Sequence, residues 1–262
     1  MRDFLEDAEK ALAKTAADPI GAARNAAKQE WPKRFYKTVS VGEAEGGYCI
    51  LLDERTVKSP GRKPLALPTK EAAEILAAEW DAIEKDINPL LMPASRIVNT
   101  AVDGVVENAQ AVLEDVVRYA GSDLLCYRAE SPQGLVNSQR DAWDPVLEWA
   151  EQTLGGVFEV TEGLMPQPQP KETIAAFSAA LKKHTDPVVI ACLHTFTSLT
   201  GSALLAFALV EGHLNAQETW QAAHVDEDWS ISQWGEDYDA KVRRDQRWQE
   251  FEAANKLFLA VK

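Results

Sequence analysis

Apolar and polar positions alternate at period two over residues 34–41, which sets Phe35, Val39 and Val41 on one face and predicts a β-strand. Glu45, Gly46 and Gly47 then form a turn, and the apolar run Tyr48, Cys49, Ile50, Leu51, Leu52 predicts a second strand buried on both sides. Asp53, Glu54 and Arg55 turn the chain, and residues 56–58 return as a third strand. Ser59, Pro60 and Gly61 turn it again. Residues 64–68 are extended, with prolines that suit an edge strand or a loop. From residue 70 the period changes: Ala73, Leu76, Ala77, Trp80 and Ile83 recur at spacings of three and four, which predicts a helix over 70–85. Thr69 is placed to cap it, and the apolar stripe suits one face of the sheet. Asn88 and Pro89 break this helix, and residues 92–95 read as a linker.

Beyond residue 95 the periodicity is helical almost throughout. Helices are expected over 96–102, 105–119, 138–154, 171–184 and about 235–259, with Pro145 marking a kink or a new start. Asp186 followed by Pro187 reads as a cap with proline at the first helical position. Asn215 with Glu218 fits a capping box. Residues 123–128 are a compact apolar segment, 157–161 are extended, and 166–170 form a proline–glutamine loop. Residues 1–30 are alanine-rich and helical, and Trp31-Pro32 ends that helix. The expected fold class is α+β: a helical segment over 1–30, a small antiparallel β-sheet domain with one covering helix over 31–95, and a larger all-helical domain over 96–262. The uncharged stretch 188–210 is long enough to span a bilayer. Its centre holds His194, Thr195, Thr197, Ser198, Thr200, Gly201 and Ser202, so it reads as a buried core helix, or two joined near Gly201.

The chain has 262 residues, 46% hydrophobic and 26% charged, which suffices for a sizeable core in one large or two modest domains. Its net charge of −14 argues against nucleic acid, which needs a basic field, and favours a partner with basic patches. The three cysteines are far apart and sit among apolar neighbours, so they read as buried, reduced thiols with no Cys-x-x-Cys zinc site. Asp3, Glu6, Asp7 and Glu9 precede any long apolar run, so neither a secretory signal nor a mitochondrial transit peptide is expected.

Little reaction chemistry is legible. Gly61-Arg62-Lys63-Pro64 fails as a phosphate loop, because proline removes an amide and no hydroxyl follows. His224-Val225-Asp226 offers two metal ligands without a third, and His224 reads as a solvated histidine near a helix end. His194 reads as a hydrogen-bonded core histidine. A nucleophile–base pair of Cys126 with His194 or His224 has no local support. Arg118, Arg128 and Arg140 read as internal salt bridges to acids such as Asp123 and Glu130.

The strongest signal is the run from Asp226, Glu227, Asp228 and Trp229 through Trp234, Gly235, Glu236, Asp237, Tyr238 and Asp239. Carboxylates and large aromatics alternate there, and no Lys or Arg occurs over residues 184–240. Clustered carboxylates repel one another unless a cation or a partner answers them, and tryptophan and tyrosine are frequent interface anchors. The segment therefore reads as a binding surface, set against a solvated acidic helix face whose tryptophans turn inward.

Arg34-Phe35-Tyr36-Lys37, residues 51–60 and Pro64-Leu65-Ala66-Leu67-Pro68-Thr69 resemble the amino-terminal signature of the alpha-subunit-specific ATP synthase assembly chaperones of mitochondria and alpha-proteobacteria. The likeness continues through Glu79-Trp80, Met92-Pro93, Asn99-Thr100-Ala101, residues 123–130, Trp143-Asp144-Pro145, Gly201-Ser202 and Trp234-Gly235-Glu236-Asp237. It departs at Glu54, where a glycine is common, and at Ser95-Arg96-Ile97, where Thr-Arg-Leu is more usual. The resemblance implies a non-catalytic, cofactor-free monomer that holds the unassembled alpha subunit of the catalytic sector until the beta subunit takes its place. It implies no nucleic-acid partner and no membrane insertion, in the bacterial cytoplasm or, in a eukaryote, the mitochondrial matrix. Glu236 matches the family's functional acidic position. Glu236, Asp237 and Asp239 are then expected to engage a basic group on the client, with Trp229 and Trp234 framing the contact. The contrasting reading is a hydrolase or transferase whose site assembles from Cys126, His194 and His224.

Overall fold

The computed structural model describes residues 31–163, 165 and 167–262, and the helix expected over 1–30 lies outside them. The chain divides into two compact units, Met1–Glu107 with Lys256–Lys262, and Asn108–Asn255. The sequence placed its boundary near Ser95; the division between units follows Glu107.

In the first unit β1 (Val39–Ala44), β2 (Gly47–Leu52) and β3 (Arg55–Thr56) form an antiparallel meander in that order. Val41 faces Ile50 and Leu52 faces Arg55 across the ladders. Gly47 has φ 142°, and a Cβ there would lie 2.0 Å from the Leu67 carbonyl oxygen. Only a bare α-carbon lets the 64–68 segment come close enough for Tyr48 and Leu67 to exchange both backbone hydrogen bonds at 2.8 Å.

The strand expected from residue 34 starts only at Val39. The Asp53 carboxylate accepts the N–H groups of Lys37 and Thr38 at 3.0 and 2.9 Å, which removes the donors a ladder would use. Arg34 donates to the carbonyls of Tyr36, Asp81 and Ile83. The alternation consequently shifts by one: Phe35 is 73% exposed and Tyr36 is buried. The Tyr36 hydroxyl donates to the Trp80 carbonyl at 2.6 Å.

Helix α1 (Lys70–Asp81) lies on β1 and β2, capped by Thr69, whose hydroxyl accepts the Ala72 N–H. It stops before residue 85 because the following backbone pairs elsewhere. Arg34 donates to the Lys85 carbonyl, and Ile87 donates to the Pro32 carbonyl. Residues 92–95 are not a linker. Pro93 opens α2 (Pro93–Thr100), and the Glu79 carboxylate accepts the N–H groups of Ala94 and Ser95 at 2.7 and 2.8 Å. A side chain of α1 thus satisfies two of the donors that every helix start leaves orphaned. A π-helical turn, Ala101–Val105, follows, and there Asp103 accepts the Ser59 hydroxyl and the Gly61 N–H.

The second unit is built from α3 (Val106–Ala120), α4 (Gln133–Leu154), α5 (Lys171–Leu181), α6 (Pro187–Thr200), α7 (Ala203–Val210), α8 (Ala216–Ala223), α9 (Val225–Trp234) and α10 (Tyr238–Val261). The outer residues of α3 and α10 belong to the first unit. Two-residue strands β4 (Tyr127–Arg128) and β5 (Thr161–Glu162) pair in parallel, a small departure from an all-helical region. Every residue of α7 is buried, with α4, α6 and α8 around it. The stretch 188–210 is two helices: Gly201, at φ 69°, closes α6, and Ser202 caps α7. Among the described residues no helix is long and apolar enough to cross a membrane.

Asp123 is wholly buried. It accepts the Ser202 hydroxyl at 2.7 Å, the Leu204 N–H at 3.0 Å and the Leu125 N–H at 3.1 Å. Burial pushes its carboxyl up to about 6 against these bonds. The arginines expected to pair with Asp123 or Glu130 pair instead with Asp115, Asp144 and Asp141.

Candidate functional site

The acidic–aromatic segment forms α9, a three-residue link from Gly235 to Asp237, and the start of α10. The ion pairs Lys241–Glu236, Arg244–Asp228 and Arg247–Glu227, at 3.3, 2.5 and 4.0 Å, nest about that link as in a helical hairpin. Glu227, Asp228 and Glu236, which lack a nearby base in the sequence, are therefore answered from α10. Asp226 is held separately, by the Gln139 side-chain amide at 2.7 Å. Gln139 is itself buried on α4 and accepts the Ala129 N–H.

The five residues expected at the site take different positions. Trp229 packs on α4: a Cβ on Gly134 would lie 2.1 Å from its ring, so this tryptophan docks α9. Trp234, at the end of α9, is 88% exposed. Glu236 is half-exposed and accepts from Lys241. Asp237 accepts the Ala240 N–H at 2.8 Å and so caps α10. Asp239 is exposed, with no polar partner among the described residues. Tyr238, part of the acidic–aromatic run but not among those five, is 77% exposed. Its signal is the absence of any apolar stripe early in α10, where Val242 is the one large apolar residue within a turn of it.

Below the hairpin lies an aromatic layer. Trp220 contacts Trp248 and Phe251 at ring separations of 5.3 Å, and the His224 ring lies 4.0 Å from Trp220. His224 is not solvated. It is buried, its Nδ1 is 2.7 Å from the Trp220 carbonyl oxygen, and burial lowers its pKa. His194 is hydrogen-bonded as expected, but at the rim rather than the core: its Nε2 is 2.9 Å from Asp115, and more than a third of its side chain is exposed. Cys126 is buried, and burial with the nearby Asp123 charge pushes its thiol up to about 12. Each member of the alternative catalytic set is thus engaged with a different neighbourhood. Such a thiol carries almost no thiolate near neutral pH. No group of three or more His, Cys, Asp or Glu side chains placed to hold a metal ion occurs among the described residues.

The model of the family described as ATP12 chaperone protein matches residues 33–151. The crystal structure of a protein from Agrobacterium tumefaciens superposes with a TM-score of 0.85 at 50% identity, covering 94% of this chain and 92% of that one. The crystal structure of Atp12 from Paracoccus denitrificans gives 0.80 at 33% identity, covering 88% and 98%. The mitochondrial protein atp12 of Schizosaccharomyces pombe is 24% identical over 220 residues, 79% of this chain and 75% of its own length.

Proposed function

Because the chain belongs to the ATP12 chaperone family, we propose that it is a non-catalytic ATP synthase assembly chaperone that binds the unassembled alpha subunit and keeps it soluble until the beta subunit joins. The observation that carries this reading is the tip of the α9–α10 hairpin. There Trp234 stands 88% exposed two residues from Glu236. A soluble protein rarely presents a large aromatic side chain so openly beside a carboxylate unless a partner covers it. Glu236 and Asp239 suit a basic group on a client, and Trp234 suits an apolar neighbour of that group. Trp229 supports the surface by docking α9 rather than by touching the client. The chain acts as a monomer, in the cytoplasm of a bacterium or the matrix of a mitochondrion.

The test is co-expression of the tagged chain with the ATP synthase alpha subunit alone. The alpha subunit is expected to co-purify and to stay in the soluble fraction. Glu236→Lys sets a second cation beside Lys241, and is expected to abolish co-purification while leaving the circular dichroism spectrum unchanged. Unaltered capture by that variant would reject Glu236 as part of the site, and failure of the wild-type chain to retain the alpha subunit would reject the function.

A further inference from the structure

The hairpin carries more carboxylates than aromatic rings, yet its carboxylates are mostly occupied. Asp226 is bound by Gln139, Glu227 and Asp228 by Arg247 and Arg244, and Glu236 by Lys241, while Asp237 caps α10. A client cation arriving at Glu236 displaces Lys241 and gains only the difference between two ion pairs in water. The rings have no such competitor. Trp234 and Tyr238 are 88% and 77% exposed, and Val242 follows Tyr238 by one helical turn on the same face of α10.

We infer that the α9–α10 tip binds its client through the exposed apolar side chains Trp234, Tyr238 and Val242, and that the surrounding carboxylates select and orient the client rather than hold it. The inference rests on the reading that this hairpin is the client site. It specifies the partner surface: an apolar pocket or groove on the unassembled alpha subunit, deep enough for an indole and a phenol, with basic groups on its rim. Desolvated aromatic anchors dominate most interfaces, whereas exposed ion pairs contribute little and fade with salt.

The experiment measures capture of the purified ATP synthase alpha subunit by the full chain, at low salt and at about 0.5 M NaCl, where exposed charges are screened. Trp234→Ala and Tyr238→Ser are each expected to weaken capture by about thirtyfold, the loss associated with an interface anchor. Glu236→Gln is expected to weaken it by about fivefold or less, and the wild-type affinity is expected to change little with salt. Trp234 and Tyr238 are largely exposed and Glu236 is half-exposed, so unchanged thermal unfolding serves as the control for folding. If Glu236→Gln or high salt removes capture while the ring variants retain it, the inference is overturned and the client site stands. If Glu236→Lys, Trp234→Ala and Tyr238→Ser all retain full capture, both the inference and the site fall.

Discussion

Gly134 lies directly under the Trp229 ring, so close that a Cβ there would sit 2.1 Å from it. This contact seats α9 on α4, and with it the base of the hairpin. Gly134→Ala forces the indole or the helix to move, an overpacking cost of about 1–3 kcal/mol. Alanine's better helix propensity recovers little of that in a first turn. The thermal midpoint is expected to fall and the tryptophan emission to shift red. Adding Trp229→Leu is expected to restore the midpoint in part, because the smaller side chain vacates the volume the new methyl needs. Independent, additive effects of the two substitutions would show that the contact does not seat the helix.

The legible parts of this fold are those whose cause lies within a few residues. Thr69, Asp186 with Pro187, and Asn215 with Glu218 cap the helices they precede. The hairpins follow their turn residues, and Gly201 divides the uncharged stretch into two helices. Illegible features have their cause elsewhere in the chain. The Glu79 carboxylate that starts α2 lies 15 and 16 residues from the amides it accepts, and Asp123 lies 79 residues from Ser202. Trp220, four residues before His224, lies against its ring, but nothing near either residue announces that Trp248 and Phe251 of α10 join that layer. Composition cannot separate Trp229 from Trp234 either. They differ because α4 offers one a glycine, while nothing described covers the other.

Arg244 bridges α10 to Asp228 on α9 at 2.5 Å, with about a fifth of its side chain exposed. The Asp228 end of the pair is half-exposed to water, where an ion pair contributes about 1 kcal/mol or less, so Arg244→Ala is expected to shift the overall unfolding midpoint only slightly. The effect is local: amide hydrogen exchange in α9 and the link to α10 is expected to quicken, because the shortest ion pair tying α9 to α10 is then lost. Exchange that stays slow there would show that the ion pair does not hold the hairpin.

Asp123 makes stability depend on acidity in a defined direction. Burial holds its carboxyl up to about 6 against an ordinary 3.8, so the folded chain binds this proton more tightly than the unfolded chain does. The stability contributed by that proton is full below the ordinary value and is lost as pH rises through about 6. A shift of this size corresponds to about 3 kcal/mol. Asp123→Asn has no proton to gain, and it leaves one of the helix-start amides without an acceptor, so it is less stable throughout. The gap between the native chain and this variant is expected to be widest near pH 4 and to narrow toward pH 7, read by urea unfolding at a series of pH values. A gap that widens with pH would mean that the hydrogen bonds from Ser202, Leu204 and Leu125 outweigh burial and hold the carboxyl low.

Asp53 and Glu54 both adopt left-handed backbone, at φ 47° and 68°, in the two-residue turn between β2 and β3. That geometry favours asparagine, aspartate or glycine, and Glu54 has no compensating bond in the described structure. Glu54→Gly removes a left-handed cost of about 1–2 kcal/mol and gives back about 0.4–1 kcal/mol through a freer unfolded chain, so a small net gain in stability is expected. Asp53 is different, because its carboxylate holds the Lys37 and Thr38 amides, and those bonds keep its pKa below the ordinary carboxylate value. Asp53→Gly is expected to destabilise the chain above that ordinary value, the loss fading as pH falls and the native carboxylate is itself protonated. Urea midpoints at neutral pH should therefore move in opposite directions for two glycine substitutions at adjacent positions. A shift in the same direction for both would mean that backbone strain, rather than the bonds of the Asp53 side chain, governs this turn.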